Sequence, residues 1–130
     1  MTRPRILLLF CNAGGGSVGY ARAGFDVVGV DILPQPRNPA YWTQEEKDRR
    51  GVGEATFEFI QGDALEVLRA TDLSTFDALH GSPPCQKYSW SAKRWTNIER
   101  ADLLDPTRQA FKAARLPYVI ENVIGAPMPG

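Results

Sequence analysis

Three parts of this 130-residue sequence carry side chains able to do chemistry: a thiol, a carboxylate in apolar surroundings and a glycine-rich turn. The thiol is Cys85, in Gly81-Ser82-Pro83-Pro84-Cys85-Gln86, directly after the strand-like run Phe76-Asp77-Ala78-Leu79-His80. Pro83 and Pro84 fix φ at two successive positions and remove two backbone donors, so the turn has few conformations. It aims Cys85, either as a nucleophile or as a small buried hydrophobe. The carboxylate is Glu121, followed by Asn122, inside the apolar run Pro117 to Ile124. An acid there is costly unless partnered. It is either part of a structural ion pair or an acid whose proton affinity burial raises, poised to share a proton with a substrate.

The glycine turn, Asn12-Ala13-Gly14-Gly15-Gly16-Ser17, follows the apolar run Arg5 to Cys11. Gly14, Gly16 and Gly19 satisfy G-x-G-x-x-G, and Asp31 closes the next strand-like run, Asp26 to Asp31, near the spacing at which an acid reaches ribose hydroxyls. Glycines let a ligand approach the backbone and a carboxylate accepts from a diol, which suits NAD and S-adenosylmethionine alike. Asp63 stands after a third run, Thr56 to Gln61, as an N-cap that can also contact a ligand.

Parallel strands joined by helices are needed to bring these groups to one rim. Ser17 is expected to cap a helix reaching about Ala23, with Gly24 ending it. Further helices are expected at Thr43 to Arg50, where Thr43 and Glu46 form a capping box, at Ala64 to Ala70, and from the Asp105-Pro106 cap to about Arg115. Five strands alternating with helices predict an α/β, doubly wound, mostly parallel sheet in one domain over residues 1–130.

Composition narrows the class. Hydrophobic residues make up 43% and charged residues 23%, as in a globular domain, and Lys plus Arg and Asp plus Glu are both 15. Contact with a polyanion must therefore come from a local patch. Lys87, Lys93, Arg94 and Arg100, interleaved with Tyr88, Trp90 and Trp95 and opposed by Glu99 alone, form one that suits a phosphate backbone or an unstacked base. Two cysteines without metal-ligand spacing argue against a zinc site or a disulfide framework. Neither a membrane span nor a signal peptide is apparent, and a cytoplasmic protein is expected.

Taken together, Phe10-x-Asn12-x-Gly14-Gly15, Gly62-Asp63, Pro84-Cys85-Gln86 and Glu121-Asn122-Val123 resemble, in order, the motifs of the DNA (cytosine-5) methyltransferases. The resemblance extends from Leu7 to Ala126 and implies a Rossmann-like S-adenosylmethionine-dependent fold. It implies that the Cys85 thiolate adds to carbon 6 of a cytosine flipped from double-stranded DNA. Carbon 5 then attacks the methyl sulfonium, its proton leaves, and the thiol is expelled. Glu121 would hold ring nitrogen 3 and the exocyclic amine, with Pro84, Gln86 and Asn122 completing the catalytic motifs. Phe10, Asn12, Ala13, Gly14 and Gly15, with Asp31, Ile32, Asp63, Ala64 and Pro83, would enclose the cofactor. Asp31 would take the ribose and Asp63 the adenine amine. Lys87, Ser89, Lys93 and Arg94 fall in the family's mobile, DNA-contacting loop.

Two departures bear on this resemblance. Asn12 replaces the first motif glycine, and asparagine tolerates the left-handed conformation well, so the turn is expected to survive. Residues 38–55 read as an insertion. The family's arginine motif, target-recognition region and returning helix do not occur before Gly130, so a C-terminally truncated fold with an exposed last strand is expected, completed by a missing segment or complementary chain. An RNA cytosine methyltransferase, an NAD-binding oxidoreductase and an inactive cofactor- or DNA-binding fragment are the alternatives.

Overall fold

The computed structural model describes residues 3–83 and 103–121. Five strands form one parallel sheet: β1 (Arg5–Leu9), β2 (Asp26–Asp31), β3 (Phe57–Gln61), β4 (Ala78–Gly81) and β5 (Tyr118–Ile120), in the spatial order β3-β2-β1-β4-β5. Four α-helices connect them: α1 (Gly15–Arg22), α2 (Gln44–Arg49), α3 (Ala64–Ala70) and α4 (Leu104–Ala114). The order runs outward from β1 in one direction through β2 and β3 and in the other through β4 and β5. The expected doubly wound parallel architecture is therefore present, and its topological switch point lies between β1 and β4.

Apolar residues on both sides of β1 explain why it is central. Leu7 and Leu9 face one layer with Val28, Val30 and Leu79, against Leu68 of α3 and Phe111 of α4. Ile6 and Leu8 face the other with Val27 and Cys11, against Tyr20 of α1 and Phe25. Burial on both faces is what a continuous Ile-Leu-Leu-Leu run requires. On α4, Leu104, Thr107 and Phe111 fall on one buried stripe, and Gly81 lacks a side chain where the Phe111 ring and Thr107 close over β4.

Several ends differ from the expectation. Gly14, with φ of 102°, is the N-cap of α1, so the helix begins ahead of Ser17, whose buried hydroxyl finds no partner among the described residues. A left-handed glycine reverses the chain so tightly that helical geometry starts at the next residue. Gly24, at φ 112°, does end that helix. Leu103 precedes α4, which places Asp105 in the first turn, where it still complements the helix dipole and lies 3.8 Å from Arg108. Asp63 caps α3 as expected, and Thr43 and Glu46 form both bonds of the capping box on α2. β5 stops at Ile120, so Glu121 emerges at the sheet's rim with its side chain 67% exposed, not enclosed in apolar surroundings. Tyr118 and Val119 are 37% and 48% exposed on this edge strand. No helix among the described residues is long and apolar enough to cross a membrane.

Candidate active site

All five strands end at one edge, and several of the residues singled out in the sequence stand there. Phe10 and Asn12 follow β1, Asp31 ends β2, Asp63 follows β3, Ser82 and Pro83 follow β4, and Glu121 follows β5. Phe10 at φ 58° and Asn12 at φ 51° are both left-handed, so asparagine here takes a conformation that favours glycine. Between them, Cys11 N donates to Val30 O at 2.9 Å, and Gly14 N donates to Cys11 O at 3.2 Å.

Asp31 fastens this turn. Its buried carboxylate accepts from Asn12 N at 2.9 Å through Oδ2 and from Leu33 N at 3.0 Å through Oδ1. Each oxygen keeps a second lone pair, which leaves acceptor capacity for a diol. Gln61 Nε2 donates to Ile32 O at 3.3 Å, and Gly62 N donates to Asp31 O at 2.9 Å, so the ends of β2 and β3 move as one. Asp63 is exposed and accepts from Glu66 N at 3.0 Å through Oδ1 alone among the described residues. Ala64 beside it is buried in the core, and Pro83 is fully buried at the end of β4.

Next to the switch point, a cleft of about 540 Å³ brings Phe10, Asn12 and Gly15 together with Tyr20, His80 and Glu121. Asp31, Ile32, Asp63 and Ala64 lie along the same rim but do not line this cleft. Nothing would meet a Cβ at Gly15 within 4 Å, so a ligand has open access to the backbone at the start of α1. Pro84, Cys85, Gln86, Lys87, Ser89, Lys93, Arg94 and Asn122 fall outside the described residues.

Sequence reasoning missed His80. Its ring is buried among α1, β4 and the rim, with Nδ1 2.6 Å from Tyr20 Oη, Nε2 3.2 Å from Ser82 Oγ and Nε2 4.0 Å from Glu121 Oε1. Burial pushes the His80 pKa down, opposed by the Glu121 carboxylate. Burial and then Glu121 push the Tyr20 hydroxyl up. Both side chains are therefore neutral near pH 7. The signal available in the sequence was a polar ring closing an apolar strand, beside the turn already singled out.

Cys11 is settled by its surroundings. Burial first, then the Asp31 charge, push its thiol up to about 12. Asn38 Nδ2 lies 3.8 Å from its sulfur, and the chain's other cysteine is Cys85. Burial and the raised pKa make Cys11 a poor source of thiolate.

Comparison with known proteins bears on the whole arrangement. Residues 5–125 match the family model of the C-5 cytosine-specific DNA methylases. The chain is 33% identical over 123 residues to the type II methyltransferase M.FnuDI of Fusobacterium nucleatum, covering 93% of this chain and 33% of that protein. It is 32% identical over 127 residues to M.XorII of Xanthomonas oryzae, covering 96% of this chain and 29% of the relative. The chain thus spans about a third of the length of these relatives. Among solved structures it resembles an S-adenosylmethionine-dependent methyltransferase from Agrobacterium tumefaciens, with a TM-score of 0.57 and 26% identity over 97% of this chain and 41% of that one. With residues 5–125 matched, nearly its full length, the chain belongs to the C-5 cytosine-specific DNA methylase family.

Proposed function

We propose that residues 1–130 act as one catalytic unit that transfers a methyl group from S-adenosylmethionine to carbon 5 of cytosine in DNA. The family match over residues 5–125 carries this reading. The residues present fit the cofactor: an open glycine backbone at the start of α1, a clamped Asp31 with spare lone pairs for a ribose, and a free Asp63 oxygen for an exocyclic amine. When bound, S-adenosylmethionine supplies an electrophilic methyl sulfonium.

The chain's own residues do the rest. Phe10, Asn12, Ala13, Gly14 and Gly15 form the cofactor turn, with Ile32, Ala64 and Pro83 as its apolar surroundings. Cys85 adds as thiolate to carbon 6 of the flipped base, because carbon 5 of an aromatic cytosine is too poor a nucleophile to take the methyl unaided. Pro84, Gln86 and Asn122 hold that motif in shape. Glu121 binds ring nitrogen 3 and the amine, offsetting charge as the ring is activated. Lys87, Ser89, Lys93 and Arg94 contact the phosphate backbone. A further segment or chain supplies target recognition.

Calorimetric titration tests the cofactor half. S-adenosylmethionine should bind, and Asp63→Ala should weaken it about tenfold, a loss of about 1.4 kcal/mol. Binding of NAD instead would overturn the reading. Duplex DNA with 5-fluorocytosine at the target tests the chemical half, since fluorine blocks the elimination. A covalent adduct should form with the native chain and vanish in Cys85→Ser.

A further inference from the structure

The His80 ring joins three elements that the motifs describe separately. Tyr20 reaches it from α1, Ser82 from the turn after β4, and Glu121 from the end of β5. The register forces this meeting. Leu8 pairs with His80 across β1 and β4, which puts His80 on the sheet face that α1 covers, and Gly81 pairs with Ile120, which brings Glu121 level with the turn. Glu121 N donates to Gly81 O at 2.9 Å, so its backbone is fixed while its side chain is largely exposed.

We propose that His80 is a positioning residue for Glu121: its single N–H, confined to Nε2 by Tyr20, steers the carboxylate, directly or through the Ser82 hydroxyl beside it, so that the carboxylate faces the substrate. This rests on the reading above, in which Glu121 binds the base. A neutral phenol is a better donor than acceptor, so the 2.6 Å contact makes Nδ1 the acceptor and leaves the ring proton on Nε2. That nitrogen faces Ser82 Oγ and the Glu121 carboxylate. The 4.0 Å separation from Oε1 is one side-chain rotation, or one bridging water, from a hydrogen bond. Tyr20 and His80 both feel the Glu121 charge. The arrangement parallels metal and triad sites, in which a partner on one imidazole nitrogen decides what the other can do.

Nuclear magnetic resonance on the full chain tests this without relying on turnover. Imidazole nitrogen shifts should report a neutral Nε2–H ring for His80, turning to a mixture of tautomers in Tyr20→Phe. The Glu121 side chain, assigned by comparison with Glu121→Gln, should hold one rotamer by its three-bond couplings in the native chain and average over rotamers in His80→Phe. His80→Gln, whose amide keeps an N–H in reach, should restore the single rotamer. Should His80→Phe fail to fold, Tyr20→Phe alone should bring averaged couplings. An Nδ1–H ring in the native chain, or the same Glu121 couplings in every folded variant, overturns the proposal. A native chain with the expected couplings but no 5-fluorocytosine adduct overturns the base-binding role and leaves the His80–Glu121 pairing standing.

Discussion

Oδ2 of Asp31 accepts a hydrogen bond from Asn12 N at 2.9 Å, and this bond fastens the end of β2 to the turn that leaves β1. The same carboxylate holds Leu33 N at 3.0 Å. Asp31→Ala would leave two part-buried amides without their acceptor; an orphaned buried donor costs about 1–3 kcal/mol, so the loss should lie towards the lower end of about 2–6 kcal/mol. Urea unfolding should show that loss. Asp31→Asn, which keeps one acceptor oxygen but turns an NH2 towards the other amide, should lose at least half as much.

Backbone conformation at Asn12 gives a second prediction. At φ 51° a β-branched side chain is strained, so Asn12→Val should cost about 1–2 kcal/mol. Asn12→Gly, which restores the family's residue, should lie within about 0.5 kcal/mol of the native chain, because relief of strain and greater unfolded-chain freedom oppose each other. Thermal unfolding of the two variants checks the difference.

Close packing at Gly81 gives a third. A Cβ there would lie 3.1 Å from the Phe111 ring and 3.2 Å from Thr107 Cγ2. Gly81→Ala should therefore destabilise by about 1–3 kcal/mol, the usual cost of overpacking. The double variant Gly81→Ala with Phe111→Leu should lose less than the two single losses added together, which a double-mutant cycle would measure.

Stability should also depend on His80 protonation. Its pKa is lower in the folded chain, by burial, than the ordinary 6.5. Below that value the unfolded chain binds the proton more readily, so the contribution is fully present above about pH 6.5 and is lost as pH falls towards the folded value. His80→Gln should flatten the stability profile in that window. Glu46, held down chiefly by its bond from Thr43 N, and Asp72, held down chiefly by Ser74 Oγ, act lower, below their ordinary 4.5 and 3.8.

Local rules made much of this legible. The five strands, the glycine turn, the Asp31 and Asp63 rim positions and the α2 capping box follow from apolar runs, glycine clusters and capping patterns, each read within a few residues. The His80 contacts could not be read that way, because Tyr20 and His80 are 60 positions apart and meet only once β1 and β4 pair in parallel. Glu121 misled for a related reason. Its apolar neighbours suggested burial, but burial depends on where the edge strand stops, and β5 ends one residue earlier. Ser17 has the right side chain for a cap, yet a left-handed Gly14 had already begun the helix.

The sealed thiol of Cys11 turns the protein into its own unfolding gauge. Buried, and with its pKa pushed up to about 12, Cys11 should alkylate slowly while the chain is folded, and each opening that exposes it creates an ordinary thiol. In a Cys85→Ser background, the rate at which label enters near pH 8 therefore counts openings of the β1–α1 region, with no probe added to the molecule.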